Sequence, residues 1–367
     1  MQVAASSTTS KTQRARNTIF DLWTEFCDLV GQTPCLRSVI GEEHKLCYLL
    51  VFGIRYRQTG QTNKPVRAST VEDALMAVGK GMADLGVSDP RKSSAGSNQY
   101  HPLLNDFLKA MRDKDDPANR TYPANTVIIR ALYDALDTEH STDGHINCIA
   151  IDLIIVAFYW LLRPAEYTDG GTEGTRSQAF RLCDIYLTAS GRQYCATDPS
   201  LNEVADEHIT YGVLTFTDQK NGVRGEQVGH RATSDPHLCP CKALACLAWR
   251  LRSLNAPEDT PLCAYRASNG NFKLLKSTIV TNALRHAATF IEPQTGISPW
   301  LLSARSLRPG GATALLCAGV DKDAIQLLGR WKSDAMLRYL RIQAHTVSAN
   351  FAQRMLEHGG YTFTPGA

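Results

Sequence analysis

Arginines recur at three places in this chain with regular local spacing. Arg163 and Glu166 stand three residues apart in Leu161-Leu162-Arg163-Pro164-Ala165-Glu166. Arg305 and Arg308 stand three apart in Arg305-Ser306-Leu307-Arg308. Arg330 lies in Leu328-Gly329-Arg330-Trp331-Lys332, and Tyr339 follows it by nine residues. A guanidinium is permanently charged, planar and able to grip two phosphate oxygens at once. Arginines around one phosphodiester would stabilise the negative charge on the non-bridging oxygens of a pentacoordinate transition state. A tyrosine hydroxyl beside them can attack the phosphorus and hold it as an ester, conserving the bond energy for a later reversal. Free tyrosine has a pKa of about 10, so such a site must favour phenolate character. The chemistry these residues suggest is cleavage and rejoining of a phosphodiester, with no metal and no cofactor.

Each residue alone has a plainer reading. Arg163 ending an apolar helix could solvate its C-terminus, and Glu166 could partner a nearby backbone group or arginine. Lys220, next to the Asn221-Gly222 turn, reads as a surface residue. Tyr339 sits among Met336, Leu337 and Leu340, which suits a half-buried core tyrosine. The joint pattern in chain order carries the reading.

Together these segments resemble the tyrosine recombinase (phage integrase) family. That family has an Arg-x-x-Glu box ending an apolar helix, and a His-x-x-Arg box near a helix start. Its last box, Gly-(His or Trp), precedes the nucleophilic tyrosine by nine residues. A lysine on a β-hairpin completes its site. Arg163 and Glu166 match the first box, Arg308 the second arginine, Tyr339 the nucleophile and Lys220 the hairpin lysine. The wording of Gly329–Arg341 is similar to that of Crypton-type recombinases of eukaryotic mobile elements. The resemblance implies a site of Arg163, Lys220, Arg305, Arg308, Arg330 and Tyr339, and a 3′-phosphotyrosyl intermediate on double-stranded DNA. Lys220 then protonates the departing 5′-oxygen. It also implies a homo-tetramer on two DNA sites, in the nucleus if the source is eukaryotic and otherwise in the cytoplasm. Arg305 and Arg330 stand where the family usually has histidine, or in the last box histidine or tryptophan. Arginine cannot exchange a proton near neutral pH as histidine can. Two alternatives therefore remain: a DNA-binding relic without turnover, and a type IB topoisomerase-like relaxation of DNA.

The elements that must position these residues are mostly helical. Residues 1–11 are rich in Ser and Thr and read as a disordered N-terminus. Apolar residues at helical spacing (Ile19 to Leu29, Leu46 to Ile54, Val71 to Leu85, Leu103 to Leu108) predict a four-helix core-binding domain over 12–112. Residues 113–124, charged and containing Pro117 and Pro123, read as a linker. A catalytic domain over 125–357 and a tail over 358–367 complete the division. Within the catalytic domain, helices are expected at 126–136, 147–162, 242–254, 277–290, 305–318, 321–328 and 333–341. The segment 347–356 has the pattern of a short amphipathic helix. Tyr211–Thr217, the Asn221-Gly222 turn and Glu226–Arg231 predict an antiparallel hairpin. Asp321 and Gly329 are expected as N-cap and C′ residues of one helix. Arg308 precedes a proline, which disfavours helical geometry and suggests that its helix starts late or bends. The fold class is mainly α with a small antiparallel β-sheet: a helical domain plus an α+β domain.

Composition narrows the field further. Hydrophobic residues make up 43% and charged residues 20% of 367, which suits a globular chain. The run Ile149–Leu162 is interrupted by Asp152 and is shorter than the ~20 residues of a membrane span. The N-terminus shows no apolar run of the secretory kind. Eleven cysteines at irregular spacing read as reduced thiols. His230, His237, Cys239 and Cys241 lack zinc-site spacing and read as a turn into the next helix. A net charge of +3 does not by itself mark a nucleic-acid binder, but residues 303–343 carry seven basic and three acidic side chains.

Overall fold

In the computed structural model, residues 10–93, 99–116, 121–136, 144–170, 178–204, 208–217, 224–332 and 337 are described. The architecture is mainly helical with a small antiparallel sheet, as the sequence predicts. The chain divides into two units, Met1–Asn119 and Arg120–Ala367.

Four helices build the first unit: α1 (Ser10–Leu29), α2 (Glu42–Thr59), α3 (Ala68–Asp84) and α4 (Pro102–Asp113). The first helix thus begins inside the stretch expected to be disordered. Trp23, Phe26, Phe52 and Tyr56 meet in the core, with the Trp23 and Phe52 rings edge-to-face at 5.4 Å. The buried indole N–H of Trp23 donates to the Pro34 carbonyl at 2.8 Å, so no polar atom is stranded. Pro102 opens α4, where its fixed φ suits the first turn and its missing N–H costs nothing. Asp115 caps α3 from a distance in sequence: its carboxylate accepts from the Ala68 N–H at 3.0 Å and pairs with Arg57 at 2.9 Å. A carboxylate there complements the positive end of the helix.

In the second unit α5 (Thr126–Arg130) and α6 (Leu132–Ala135) replace the single helix expected at 126–136, with the break at Ala131. α7 (Gly144–Tyr159) is apolar on almost every face, and it is accordingly central. It is followed by the single turn α8 (Pro164–Tyr167). The sheet contains β1 (Ile185–Ala189), β2 (Arg192–Cys195), β3 (Ile209–Phe216) and β4 (Glu226–Arg231) in the order β2-β1-β3-β4, all antiparallel. The sequence reading identified only β3 and β4. α9 (Pro240–Ser253) packs on this sheet and on α7. A short hairpin, β5 (Ala264–Arg266) and β6 (Phe272–Leu274), leads to α10 (Ser277–Thr295), α11 (Leu307–Cys317) and α12 (Lys322–Leu328). No helix among the described residues is long and apolar enough to cross a membrane. The helices expected at 333–341 and 347–356, like the Asn221-Gly222 turn, fall outside the described residues.

Candidate active site

α7 stops earlier than its apolar run suggests. The Leu162 N–H reaches back to the Ala157 carbonyl at 2.9 Å, and Leu161 adopts φ 51°. This left-handed residue ends the helix although it is not glycine, at a cost of roughly 1–2 kcal/mol. Arg163 therefore does not solvate the end of α7. It is extended, as a residue before proline prefers, and it N-caps α8. Glu166, fully buried, closes a capping box: it accepts from the Arg163 backbone N–H at 2.8 Å and from the Arg163 guanidinium at 2.9 Å. Its expected role as partner of a backbone group and an arginine is the one it has here.

α12 ends the same way. The Asp321 side chain caps its start, accepting from the Asp323 N–H at 2.7 Å. At its far end the Arg330 N–H bonds the Leu327 carbonyl at 2.9 Å and the Trp331 N–H the Gln326 carbonyl at 3.1 Å. The left-handed C′ residue of this Schellman-type cap is Arg330, φ 55°, and not Gly329, whose φ is −77°. Gly329 serves another purpose, since a Cβ there would lie 1.5 Å from the Trp331 ring. The turn folds Trp331 over Gly329 and sends the Arg330 side chain inward.

Arg308 lies in the first turn of α11, which begins at Leu307, ahead of Pro309, and so does not start late. A 3₁₀ turn (Ala304–Ser306) leads straight into the helix, and the missing N–H of Pro309 falls among first-turn donors that have no helical partner. Glycines bring this end of α11 close to its surroundings. A Cβ on Gly310 would come within 2.0 Å of the Ala124 carbonyl oxygen, and one on Gly311 within 2.2 Å of that of Phe158.

The three C-terminal and turn structures meet at one point. Arg308 donates to the Leu161 carbonyl at 2.7 Å and to the Gly329 carbonyl, and lies over the Trp331 ring at 4.4 Å. Arg330 donates to the carbonyls of Leu161 and Trp160, each at 3.2 Å, and lies over the Phe216 ring at 3.8 Å. Its guanidinium is 3.7 Å from the Glu166 carboxylate. The physical cause is shared: two helix C-termini expose carbonyls with no helical partner and partial negative charge, and two buried guanidiniums satisfy them. Burial pushes the Arg330 guanidinium down to about 10, with Glu166 opposing the shift and Arg163 adding to it. It remains cationic at neutral pH. Arg163, a quarter exposed, is the open edge of the group. Two guanidiniums, of Arg163 and Arg330, thus lie against the fully buried carboxylate of Glu166, and Arg308 joins Arg330 on the Leu161 carbonyl, an excess of positive charge suited to an anion.

Arg163, Arg308 and Arg330 are therefore brought together from segments far apart in sequence. Arg305 is not brought in: it is exposed on the 3₁₀ turn, and among the described residues its guanidinium has no hydrogen-bond or ion-pair partner. Lys220 and Tyr339 lie outside the described residues. Sequence reasoning missed Phe216 and the Leu161 carbonyl. Phe216 could have been found as the last apolar residue of an alternating strand; the carbonyl had no signal at all. His230, Cys239 and Cys241 pack near the sheet and α9, where the Cys241 thiol donates to the His230 carbonyl at 3.2 Å.

His230 also supports this region, its ring edge-on to Trp160 at 4.7 Å. Its Nε2 is buried without a hydrogen-bond partner among the described residues, and burial lowers its pKa from 6.5 to about 4. The unfolded chain then binds a proton that the folded state refuses. Stability should fall as pH drops from about 6.5 toward 4, by at most about 3 kcal/mol from this residue. Asp152, raised by burial from 3.8 to about 8, contributes with the opposite sign from about pH 4 to pH 8, across the same range. Comparing urea midpoints of wild type and His230→Phe across this range cancels that contribution. Parallel curves would mean that His230 is not the group responsible.

No family model matches the chain, and no curated protein matches it. Among solved structures it is similar to the Tn1549 transposon integrase (residues 82–397) in complex with circular intermediate DNA, at 12% identity over 84% of each chain, with a TM-score of 0.43. It is similar to a lambda integrase (75–356) dimer bound to a COC′ core site, at 14% identity over 93% of this chain and 92% of that one, with a TM-score of 0.48. It is also similar to XerA recombinase, at 13% identity over 92% of this chain and 98% of that one, with a TM-score of 0.35.

Proposed function

We propose that this chain is a tyrosine recombinase: it cleaves and rejoins double-stranded DNA through a covalent 3′-phosphotyrosyl intermediate. The observation that supports this most is the linkage of Arg163 and Arg330 through Glu166 and of Arg330 and Arg308 through the Leu161 carbonyl. In this reading the guanidiniums hold the scissile phosphate and stabilise the charge that grows on its oxygens. Arg308 and Arg330 are oriented before DNA arrives, because helix-end carbonyls and the rings of Trp331 and Phe216 fix their planes. Tyr339 attacks the phosphorus, Lys220 protonates the leaving 5′-oxygen, and the freed 5′-hydroxyl of a partner strand later reverses the ester. Arg305, standing outside the group, serves a neighbouring backbone phosphate. The chain works as a homo-tetramer on two DNA sites and belongs with Crypton-type elements.

One observation favours the relic reading. Arg308 and Arg330 are deeply buried and bonded to backbone carbonyls, which is what residues kept only for folding would do. A nicked suicide substrate separates the two, because the short leaving strand diffuses away and traps the ester. An enzyme gives a covalent protein–DNA adduct across neutral pH, with no titration at the ~6.5 of an ordinary histidine, since arginines replace it. A protein that binds the duplex but yields no adduct is a relic. Relaxation of supercoils without exchange between two-site plasmids would assign the topoisomerase-like activity.

Binding itself should depend steeply on salt. Each phosphate neutralised releases counterions, so log affinity should fall at ~0.9 per contacted phosphate against log salt on B-DNA. A slope near zero in a titration of the full chain would remove DNA as the partner.

A further inference from the structure

The segment joining α10 to α11 presents a residue that the phosphate site does not use. Trp300 is 79% exposed, yet the backbone around it is held from several sides. Arg285 on α10 donates to the Leu302 carbonyl at 3.0 Å and to the Trp300 carbonyl at 3.4 Å, and its guanidinium lies over the indole at 5.5 Å. One turn earlier Thr281 accepts from the Ala304 N–H at 3.0 Å, while the Tyr167 hydroxyl donates to the Ala304 carbonyl at 2.7 Å. The Tyr122 N–H holds the Leu301 carbonyl at 2.9 Å. An exposed ring on a loosely held loop needs no explanation. A ring on a fastened backbone, propped by a cation, is already oriented for a partner, so less ordering entropy is lost on contact.

The partner can be read from the surroundings. No acidic residue occurs between Glu292 and Asp321, while Arg285 lies over the ring and the exposed Arg305 follows it by five residues in the same segment. A protein-docking site would centre on a cluster of apolar side chains. A single aromatic on cationic ground instead matches a nucleotide, whose ring or sugar face stacks while its phosphate meets the charge. The same short segment ends at Arg308 in the phosphate site.

We propose that Trp300 is a DNA contact, its indole packing on the sugar or base face of a nucleotide flanking the phosphate held by Arg163, Arg308 and Arg330. Arg305 meets the next backbone phosphate. This rests on the DNA-cleavage reading of that site, and adds to it a contact that is not electrostatic. Stacking of this kind involves no counterion release, so its loss lowers affinity without changing the salt slope.

The test is duplex binding by the full chain, using random-sequence DNA and a salt series, for wild type, Trp300→Ala, Trp300→Phe and Arg305→Ala. Trp300→Ala should bind about tenfold more weakly with the same salt slope, and Trp300→Phe should recover most of the loss. Arg305→Ala should reduce the slope by about one contact. DNA should alter the tryptophan fluorescence of wild type far more than that of Trp300→Phe. Because the ring is exposed, neither Trp300 variant should melt earlier than wild type. Trp300→Ala binding as tightly as wild type would overturn the contact while leaving the DNA reading in place. A change of oligomeric state with unchanged DNA affinity would overturn it in favour of a second copy of the chain. Absence of any duplex binding by wild type would remove both.

Discussion

Tyr339→Phe should abolish covalent protein–DNA adducts and leave folding and duplex binding intact. The substitution keeps the ring and removes one oxygen, the atom proposed to attack phosphorus. Guanidiniums are not nucleophiles at neutral pH, and among the described residues the Tyr167 hydroxyl is fully buried and committed to the Ala304 carbonyl. Burial pushes that phenol further up, away from phenolate. The loss should therefore be complete rather than partial. The measurement is denaturing electrophoresis of the protein with a labelled suicide substrate, alongside melting and binding controls. Adducts from the phenylalanine variant at the wild-type level would remove Tyr339 from the site.

Arg308→Ala should slow adduct formation by ~10²–10³ at saturating DNA, the usual loss on removing one donor from a site where charge develops. It should also destabilise the protein. Arg308 is almost fully buried and bonds the ends of α7 and α12 together through the Leu161 and Gly329 carbonyls. Leaving both carbonyls without it costs roughly 2–4 kcal/mol, which for a unit of this size lowers the melting temperature by about 5–15 °C. The two effects are separable, because adduct formation can be timed well below the melting transition. Arg308→Lys keeps a charge but loses the planar fork that spans two carbonyls, so it should recover little of either. If rate and affinity fell in proportion, Arg308 would be a DNA-positioning residue. If stability fell and the rate at low temperature did not, its role would be confined to joining the helix ends.

The weight of Arg308 shows what was legible beforehand and what was not. Helices were readable because burial of one face repeats every three to four residues, and α1 to α4 follow that period. β1 and β2 were missed because they are five and four residues long, too short for alternation to stand out. Their turn did carry a local signal: Ser190 and Gly191 both have positive φ, 50° and 77°, as a tight hairpin of this hand requires. Helix ends were the least legible. Apolar composition continues through Leu162, so nothing local marks Leu161 as the left-handed stop, and Arg330 takes a position where glycine is usual although a glycine stands directly before it.

What the sequence determined by itself is the inventory: a mainly helical chain with a small antiparallel sheet, and arginines in three short segments whose types suit a phosphate. Those follow from side-chain chemistry and from periodicity, both of which are local. Tertiary structure alone decided which arginines share a site. Leu161 and Arg330 end α7 and α12 in left-handed turns, and the carbonyls released there bond Arg308 and Arg330. Arg305, three residues from Arg308, faces outward because the 3₁₀ turn before α11 points it away from that carbonyl cluster. Spacing along the chain could not distinguish the two, since the partners that hold Arg308 are backbone oxygens 147 and 21 residues away.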